Sequence, residues 1–478
     1  MFPGIETSNQ NLLLRISFGT LMATILLMES GIGMIRRLLS FFLMLLLLIP
    51  VNAYALLPRY PPIPDELIVT IKEETTKQKN GSTVKAFYPT TVNQQVNEDL
   101  ASIINSFIGK TAPGLPEGEK APKDSRLEVR PIYSPTGVSW LSFLLLSRTV
   151  YHRQNVSSEI ASRTYDVTSG RRIMLTDIFP EDSPGWDVLS NAVRSQLSAY
   201  FPEEAEAQAL NALCSKEALK NAEFTLGAVK LELHYPASAL YKDRTTLMHV
   251  KVYYRDLSGM MTGEAESQTD NSRYPMIALT FDDGPRYVCT MNILDDLQDY
   301  GAKATFFLIG DQIESNRDVV QRQQDEGHTV ASHTLHHYDP RKLTVDELFE
   351  NKAAFDQLLQ DTSGLAAPFM RAPGGRYQEF VKAGIGLPLL QWSVIGGDIT
   401  TTDYGRIKAI VVTNAQDGGI VLLHDSKTAT KKAIRAILML LQKKGFLCVT
   451  VEDLFVHNSR MLEPNAVYRD ANGWIEEN

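Results

Sequence analysis

The chain has 478 residues, which is long for one hydrophobic core and predicts two domains with additional segments. Its hydrophobic content of 44% and charged content of 22% are typical of globular proteins. A formal net charge of −9 argues against nucleic acid, and against an anionic membrane surface, as the main partner.

The N-terminal residues predict export. Two arginines (36–37) precede a 12-residue apolar run at 38–49, and an Ala-Tyr-Ala motif follows at 53–55. This order of parts is typical of a secretory signal peptide, and the run is short for a membrane span. We expect cleavage after Ala55, with an uncleaved membrane anchor as the alternative. In both cases the rest of the chain lies outside the cytoplasm, secreted or anchored at the cell wall.

Residues 1–33 form a prefix to this signal. The prefix contains a second apolar stretch at 16–28, so a translation start at Met34 and a longer anchor that uses both stretches remain open. The signal is followed at 56–65 by a proline-rich segment, "LLPRYPPIPD", which predicts a spacer.

Residues 66–258 predict a small α+β accessory domain. Alternation in "ELIVTIKEE" and the apolar run "SWLSFLLLSRTVY" indicate strands, and "RTYDVTSGRRIML" indicates a hairpin that turns at Ser169-Gly170. The apolar spacing of "TTVNQQVNEDLASIINSFI" is helical, as it is at about 186–200 and 204–220. Strands follow at "KLELHY" and "MHVKVYY".

Histidines and cysteines give no sign of a metal site in this first half of the chain. His152, His234 and His249 are scattered in strand-like runs, so we expect core or surface roles for them. Three cysteines cannot all pair, and the single disulfide that is conceivable joins Cys289 to Cys448. Free, buried thiols are the favoured interpretation.

A polar segment at 259–273 predicts an interdomain linker. After it, short apolar runs alternate with helical patterns over 274–458, including helices at about 344–360, 404–416 and 428–444. Repeated strand–helix units argue for a parallel α/β architecture, and about seven strands suit a closed or nearly closed, distorted (β/α) barrel. The remaining residues, 459–478, are predicted to be a C-terminal tail.

Chemically active residue types follow the predicted barrel strands, at the rim where barrels build their active sites. These residues are Asp282, Asp283, His333, His337, Arg371, Asp398 and His424. Asp282 and Asp283 are adjacent, and in an extended backbone neighbouring side chains point in opposite directions, so the two carboxylates can serve different partners.

Two histidines and one carboxylate predict a metal site. His333 and His337 are four residues apart, so a single helical turn would place both imidazoles on one side. With one carboxylate they form a set that suits catalytic Zn²⁺, although Co²⁺, Ni²⁺ and Mn²⁺ also accept such ligands. His336 is expected to be exposed or to support the site from outside, and His328 to be structural.

The motifs "TFDDGP", "SHTLHH", "RAPGG" and "IVLLHD", in this order, resemble those of polysaccharide deacetylases with a NodB-homology domain, carbohydrate esterase family 4. The resemblance covers roughly 274–456. The preceding region resembles, more weakly, the small α+β domain found before the catalytic domain in some cell-wall deacetylases. That second resemblance rests on strand order and on "TYDVTSGRRIMLTDIF" and implies no defined activity.

The family resemblance implies a role for each matching residue. They are Asp282 as catalytic base, Asp283, His333 and His337 as metal ligands, Arg371 as the residue that orients Asp282, the backbone N–H of Gly374 as an oxyanion donor, His424 as general acid, Leu422 in the acetyl pocket, and Asp398 as the carboxylate that tunes His424. The fourth motif departs from the family, because Ile395 and Ile399 replace an aspartate and a tryptophan. Trp392 or Tyr404 could substitute for the missing aromatic ring.

The sequence therefore predicts an exported, metal-dependent hydrolase that removes acetyl groups from N-acetylated amino sugars. Peptidoglycan is the expected substrate, since a signal peptide and an extra domain suit work at the cell wall. Deacetylation of chitin oligomers or another exopolysaccharide is the enzymatic alternative. A wall-carbohydrate-binding protein without activity is the alternative from another functional class.

Overall fold

The computed structural model of the chain describes residues 60–78, 80–109, 125–201 and 206–473. The predicted prefix, signal peptide, cleavage site and anchor at 1–55 lie outside these residues. Within the described part of the chain, no helix combines the length and the apolar composition needed to cross a membrane. Tyr60–Asn478 forms one compact unit, in which an accessory region precedes a barrel region.

The accessory region contains two sheets with helices packed on them. Its strands are Thr70–Lys77 (β1), Thr83–Thr90 (β2), Arg126–Thr136 (β3), Trp140–Tyr151 (β4), Gln154–Asp166 (β5), Arg171–Ile173 (β6), Glu223–Leu226 (β7), Lys230–Pro236 (β8) and Leu247–Tyr253 (β9). Its helices are Gln94–Ile108 (α1), Leu175–Ile178 (α2), Gly185–Leu197 (α3), Ala207–Leu213 (α4), Lys216–Lys220 (α5) and Gly263–Thr269 (α6).

Strands β1 to β6 form one sheet in chain order, in which only β2 and β3 run parallel, and β7 to β9 form a second, antiparallel sheet. The hairpin predicted at Ser169-Gly170 is confirmed, because β5 and β6 pair with Asp166 opposite Arg171. The helix expected at 204–220 is instead divided into α4 and α5. Ser215 causes the break, since its side chain caps α5 by accepting a hydrogen bond from the Ala218 N–H.

The barrel region alternates strands and helices. Its strands are Met276–Gly284 (β10), Ala304–Leu308 (β11), Thr329–Ser332 (β12), Leu389–Leu390 (β13), Val394–Ile395 (β14), Gly419–His424 (β15), Leu447–Cys448 (β16) and Val467–Tyr468 (β17). Its helices are Tyr287–Asp299 (α7), Gly310–Ile313 (α8), Arg317–Asp325 (α9), Val345–Ser363 (α10), Gln378–Ala383 (α11), Tyr404–Asn414 (α12), Thr428–Lys443 (α13) and Val451–His457 (α14).

The barrel strands confirm the predicted distorted, nearly closed arrangement. Parallel strands pair in the order β12-β11-β10-β15-β14, and β16 pairs with the start of β10. Met370 extends the ring beyond β12 by bridging Ser332 and Leu389, the first residue of β13. Strand β10 lies at the centre and is buried on both faces from Met276 to Asp282, as its mostly apolar sequence, with Thr280 and the terminal Asp282 as the polar residues, favours.

The two regions share a hydrophobic core. Leu127 and Phe143 of the accessory sheet belong to the same buried cluster as Met276 and Val451 of the barrel. Residues 259–273, predicted to be a linker, contain α6, and the Tyr274 hydroxyl just after them donates a hydrogen bond to the Gly137 carbonyl (3.0 Å). This segment is therefore packed into the unit rather than being a free connection.

The predicted spacer and the predicted C-terminal tail both need correction, because residues of each pack against the barrel region. In the spacer, Ile63 is buried and the Tyr60 ring packs edge-on against Phe446 (5.8 Å between centroids). In the predicted tail, β17 pairs with β13 and Tyr468 is fully buried. Neither pattern was evident from the sequence, because each segment is too short for a periodic signal. The three cysteines are all free, so no Cys289–Cys448 disulfide forms.

Candidate active site

The predicted site residues meet at one rim of the barrel. Strand β10 ends in the paired aspartates, His333 directly follows β12, and β15 ends at His424. Arg371 follows Met370, the residue that continues the ring beyond β12. Because the strands are parallel, their C-terminal ends lie on the same side, which brings together residues from 282 to 424.

Asp283, His333 and His337 form a candidate metal centre. One ligand atom from each of the three residues lies within 4.8 Å of the other two. The Asp283 Oδ1 atom lies 3.4 Å from His337 Nε2 and 3.7 Å from His333 Nε2. In the described part of the chain this is the only group of three histidine, cysteine or acidic residues with such spacing.

The tautomer of His333 fits a metal ligand. Its Nδ1 lies 2.8 Å from the Arg371 carbonyl oxygen. A carbonyl can only accept, so Nδ1 carries the proton and Nε2 presents a lone pair to the other two ligands. Two imidazoles and a carboxylate suit a divalent transition metal. The donor set present therefore fits the predicted cation.

The two histidines come together without the predicted helical turn. The segment after β12 is a loop, in which Thr334 (φ 70°) and His337 (φ 57°) adopt left-handed backbone conformations. The loop is fastened by hydroxyl groups, since the Ser332 and Thr334 side chains accept hydrogen bonds from the backbone N–H groups of Thr334 and His337. The ring centroids of the two histidines end 5.0 Å apart. The prediction of adjacent imidazoles is confirmed, but its stated reason is wrong.

The paired aspartates also differ from the sequence expectation. Asp283 has φ 73°, and the pairing of β10 with β11 skips from Asp282 to Gly284. This bulge turns the second carboxylate, so the two do not point in opposite directions as in regular extended backbone. Both lie near His333 Nε2, Asp282 Oδ2 at 3.8 Å and Asp283 Oδ1 at 3.7 Å.

Arg371 fixes the position of Asp282. Its guanidinium is fully buried, with the Phe307 ring 4.0 Å away. It donates hydrogen bonds to Asp282 Oδ1 (2.7 Å), to the Thr280 hydroxyl (2.7 Å) and to two backbone carbonyls. Burial lowers the pKa of Arg371, and the negative charge of Asp282 opposes this effect. The Asp282 carboxylate is thereby held by Oδ1, with Oδ2 on the side of the metal ligands.

His424 and Asp398 form a second hydrogen-bonded pair. The His424 Nδ1 atom lies 3.0 Å from Asp398 Oδ1, and the other carboxylate oxygen accepts from the His424 backbone N–H (2.7 Å) and from the Thr430 hydroxyl (2.6 Å). Burial by itself lowers the pKa of His424, but the hydrogen bond and charge of Asp398 outweigh it and raise the pKa above its ordinary value.

Other predicted residues lie along the same rim. Leu422 is buried and precedes His424 by two residues on β15, so both side chains face the same side of the sheet. Gly374 is exposed and has φ 61°, which favours glycine. Ile395 and Ile399 are 53% and 60% exposed, so the rim beside Asp398 is aliphatic.

The two aromatic candidates occupy different environments. The Trp392 ring is half-buried and lies 5.7 Å from the Arg371 guanidinium, whereas Tyr404 is 55% exposed at the start of α12. Tyr404 is thus the one that presents its ring to solvent.

The remaining barrel histidines are not ligands of the cluster. His328 is buried and its Nδ1 accepts a hydrogen bond from the Ala304 N–H (3.1 Å), which confirms a structural role. His336 pairs with Asp311 (2.9 Å). In the accessory region, no sequence pattern predicted that His234 and His249 would meet, yet they are buried with their Nδ1 atoms 2.9 Å apart.

Sequence reasoning missed three supporting residues. Thr280 binds Arg371, Thr430 binds Asp398, and the Thr290 hydroxyl donates to Asp425 (2.6 Å). Burial and the charges of the two paired aspartates raise the pKa of Asp425 to about 7. The one available signal was the position of Asp425 directly after His424 in "LLHD". The threonines carry no signal of their own, because their partners are distant in the chain.

Comparison with known proteins supports the same assignment. A sequence model of the polysaccharide deacetylase family matches residues 269–385. The chain is 36% identical over 179 residues to the peptidoglycan-N-acetylglucosamine deacetylase PgdA of Listeria monocytogenes, a match that covers 37% of this chain and 38% of the relative. This chain thus spans less than two thirds of that relative's length.

Two shorter relatives are covered almost completely. A peptidoglycan-N-acetylglucosamine deacetylase of Bacillus cereus is 35% identical, with 37% of this chain and 87% of the relative covered. A chitooligosaccharide deacetylase of Bradyrhizobium is 32% identical, with 36% of this chain and 86% of the relative covered. By these matches, and with the four motifs gathered at one barrel rim, the chain belongs to the polysaccharide deacetylase family.

Proposed function

We propose that the protein removes acetyl groups from N-acetylated amino sugars of peptidoglycan and releases acetate. The observation that carries this proposal is the juxtaposition of three elements at one rim. They are the Asp283, His333 and His337 cluster, the Asp282 carboxylate fixed by Arg371, and the imidazole of His424 paired with Asp398. Hydrolysis of an amide needs an activated water, a stabilised carbonyl oxygen and a proton for the amine.

The metal is proposed to be Zn²⁺, with Co²⁺, Ni²⁺ or Mn²⁺ as other candidates for the same ligands. A divalent cation held by the three residues would polarise the acetyl carbonyl and increase the acidity of water. The remaining steps depend on groups of the chain itself.

Asp282 is proposed as the general base. Arg371 occupies its Oδ1, and Oδ2 lies 3.8 Å from His333 Nε2, on the side of the metal ligands. One oxygen is therefore anchored while the other is available to accept a proton from water. The four hydrogen bonds of the Arg371 side chain leave this carboxylate little rotational freedom.

His424 is proposed as the general acid. Because its Nδ1 binds Asp398, its Nε2 is the nitrogen that can deliver a proton to the departing amine. The raised pKa keeps more of the imidazole protonated near neutral pH than an unpaired histidine would be. The Gly374 N–H is proposed to bind the carbonyl oxygen, and Leu422 to contact the acetyl methyl group.

Peptidoglycan is favoured as substrate by two features. Relatives that match this region are named peptidoglycan deacetylases, and residues 34–55 predict export to the compartment that holds the cell wall. The secreted or anchored state of the protein belongs to this proposal. A chitin oligomer is the second candidate, since a relative of similar identity is named a chitooligosaccharide deacetylase.

Acetate release tests the proposal. The full chain, freed of metal by chelation, is incubated with peptidoglycan and with chito-oligosaccharides before and after addition of Zn²⁺, Co²⁺, Ni²⁺ or Mn²⁺, each tested separately. We expect acetate from peptidoglycan only when metal is present. If no N-acetylated glycan yields acetate with any of the four metals, the chain would instead be a carbohydrate-binding protein.

A further inference from the structure

Arg376 places an uncommitted positive charge beside the candidate site. Its side chain is 46% exposed and makes no hydrogen bond to another residue in the described part of the chain. Its nearest acidic neighbour is Asp339, at 3.9 Å from Nη1. That distance is too long for a hydrogen bond, so the planar group of donors stays available to a ligand.

Two contacts locate this guanidinium at the rim. A Cβ atom built on Gly374, the proposed oxyanion donor, would lie 3.2 Å from Arg376 Nη1. On the other side, Asp339 follows the metal ligand His337 by only two residues. Arg376 therefore lies between the two loops that carry Gly374 and His337.

The surrounding charges leave Arg376 without a matched partner. Asp339 is engaged by the Arg341 guanidinium through both carboxylate oxygens, at 3.0 and 2.6 Å. On α11, Glu379 pairs with Lys382 at 3.2 Å. These four residues neutralise one another in pairs, so the local surplus is the single positive charge of Arg376.

We propose that Arg376 binds a carboxylate of the substrate and makes the enzyme prefer acidic glycans over neutral ones. This inference rests on the proposed function and specifies its substrate class. The muramic acid units of peptidoglycan carry a lactyl carboxylate or the peptide attached to it, whereas chito-oligosaccharides carry no charge. A guanidinium fork matches a carboxylate in geometry as well as in charge.

The expected effect is on binding rather than on chemistry. A hydrogen-bonded contact to a charged group at a half-exposed position contributes at the lower end of the range for such bonds, so its loss weakens binding by roughly tenfold. Arg376→Gln should raise KM by about that factor for acidic substrates and leave kcat nearly unchanged. The KM of Arg376→Lys should lie between those of the wild type and Arg376→Gln. Lysine keeps the positive charge but lacks the planar guanidinium that donates two hydrogen bonds to one carboxylate.

The experiment compares substrates matched in length. They are an oligosaccharide of alternating N-acetylglucosamine and N-acetylmuramic acid with free lactyl carboxylates, the same oligosaccharide with those carboxylates converted to amides, and a chito-oligosaccharide. Wild type, Arg376→Gln and Arg376→Lys are assayed with Zn²⁺, and Lys382→Gln serves as the control for loss of a nearby positive charge. Metal content and thermal melts are measured for each variant.

We expect Arg376→Gln to lose activity on the acidic oligosaccharide alone, and Lys382→Gln to behave as wild type. Amidation should lower wild-type activity to the level of the variant. Equal losses on all three substrates would overturn the inference, because Arg376 would then serve the reaction itself. Unchanged activity on the acidic substrate would overturn it as well. If wild type releases no acetate from any substrate, the proposed function fails first.

Discussion

Two regions of this molecule bury charged side chains, and they differ in how those charges are matched. At the interface between the accessory region and the barrel, the buried carboxylates of Glu128 and Asp453 each form an ion pair with a basic side chain. Glu128 lies between Arg126 and Arg130, and Lys230 binds Asp453 at 2.8 Å. Burial alone would raise the pKa of Glu128, but the two arginines lower it instead.

At the barrel rim the matching is incomplete. Asp282 has Arg371, whereas the basic partners of Asp283 within 4 Å are two imidazoles, counted over the part of the chain that the structure describes. A carboxylate and two nitrogen lone pairs that converge without a Lys or Arg lack the positive charge that a metal ion would supply. A paired charge is therefore a poor sign of function, and a charge whose pairing is left unfinished is a better one.

The largest expected effects distinguish the two rim aspartates. Asp283→Asn replaces a charged ligand with a neutral one, so the protein should lose its metal on dialysis and lose activity, which excess metal partly restores. Asp282→Asn should keep the metal and slow the chemical step by a factor on the order of 10² to 10⁴. Metal analysis and turnover of a peptidoglycan fragment measure both properties.

Thermal melts accompany these assays, because a folding defect would lower metal content and turnover in both variants alike. If Asp282→Asn loses the metal while Asp283→Asn retains it, the roles of base and ligand are reversed.

The interface should respond in stability rather than in activity. Lys230→Met leaves two buried carboxylates, those of Asp453 and Glu232, without their cation, and we expect the free energy of unfolding to fall by about 3 to 5 kcal/mol. Urea denaturation of the metal-free protein measures the loss. The double variant Lys230→Met with Asp453→Leu should recover only part of it, because Glu232 still lacks the cation that lies 3.4 Å away in the wild type. If the free energy of unfolding of Lys230→Met falls by less than about 1 kcal/mol, the ion pairs of Lys230 do not stabilise this interface.

A smaller effect is expected from Asp398→Asn. Asp398 raises the pKa of His424, and the general acid must be protonated, so activity declines as pH rises through that pKa. The amide removes the negative charge and lowers this pKa. The alkaline limb of the pH–rate profile should therefore move to lower pH, with metal content unchanged. An unmoved limb would show that the carboxylate does not act through His424.

The smallest expected effect tests the packed connection between the regions. Thr262 caps α6 through its hydroxyl oxygen, which accepts from the Ala265 N–H (3.4 Å), and it also donates to the Asp177 carbonyl (2.9 Å). Thr262→Ala should cost about 1 kcal/mol of stability, as loss of an N-cap usually does. Glu266→Gln, on the same short helix, is the control. Equal melting temperatures for Thr262→Ala and wild type would mean that α6 adds little to the unit.

The sequence by itself determined the strand–helix alternation, the barrel class and the set of candidate site residues. Near-continuous apolar runs such as 276–281, in which Thr280 is the one polar residue, favour burial on both faces, and charged residues directly after such runs are expected at strand ends. The rim location of the paired aspartates and of His424 followed from that rule alone. The four motifs then supplied the roles, as proposals that the geometry supports.

Only the tertiary structure decided how those residues meet. The bulge at Asp283, the bonds of Thr280 and Thr430, and the packing of α6 and β17 all depend on partners far away in the chain. Periodicity reports which face of a local element is buried, but not which element covers it. Such long-range contacts also create the core that the two regions share. They place the Arg376 guanidinium near the loop that carries His337, a position that the sequence does not reveal.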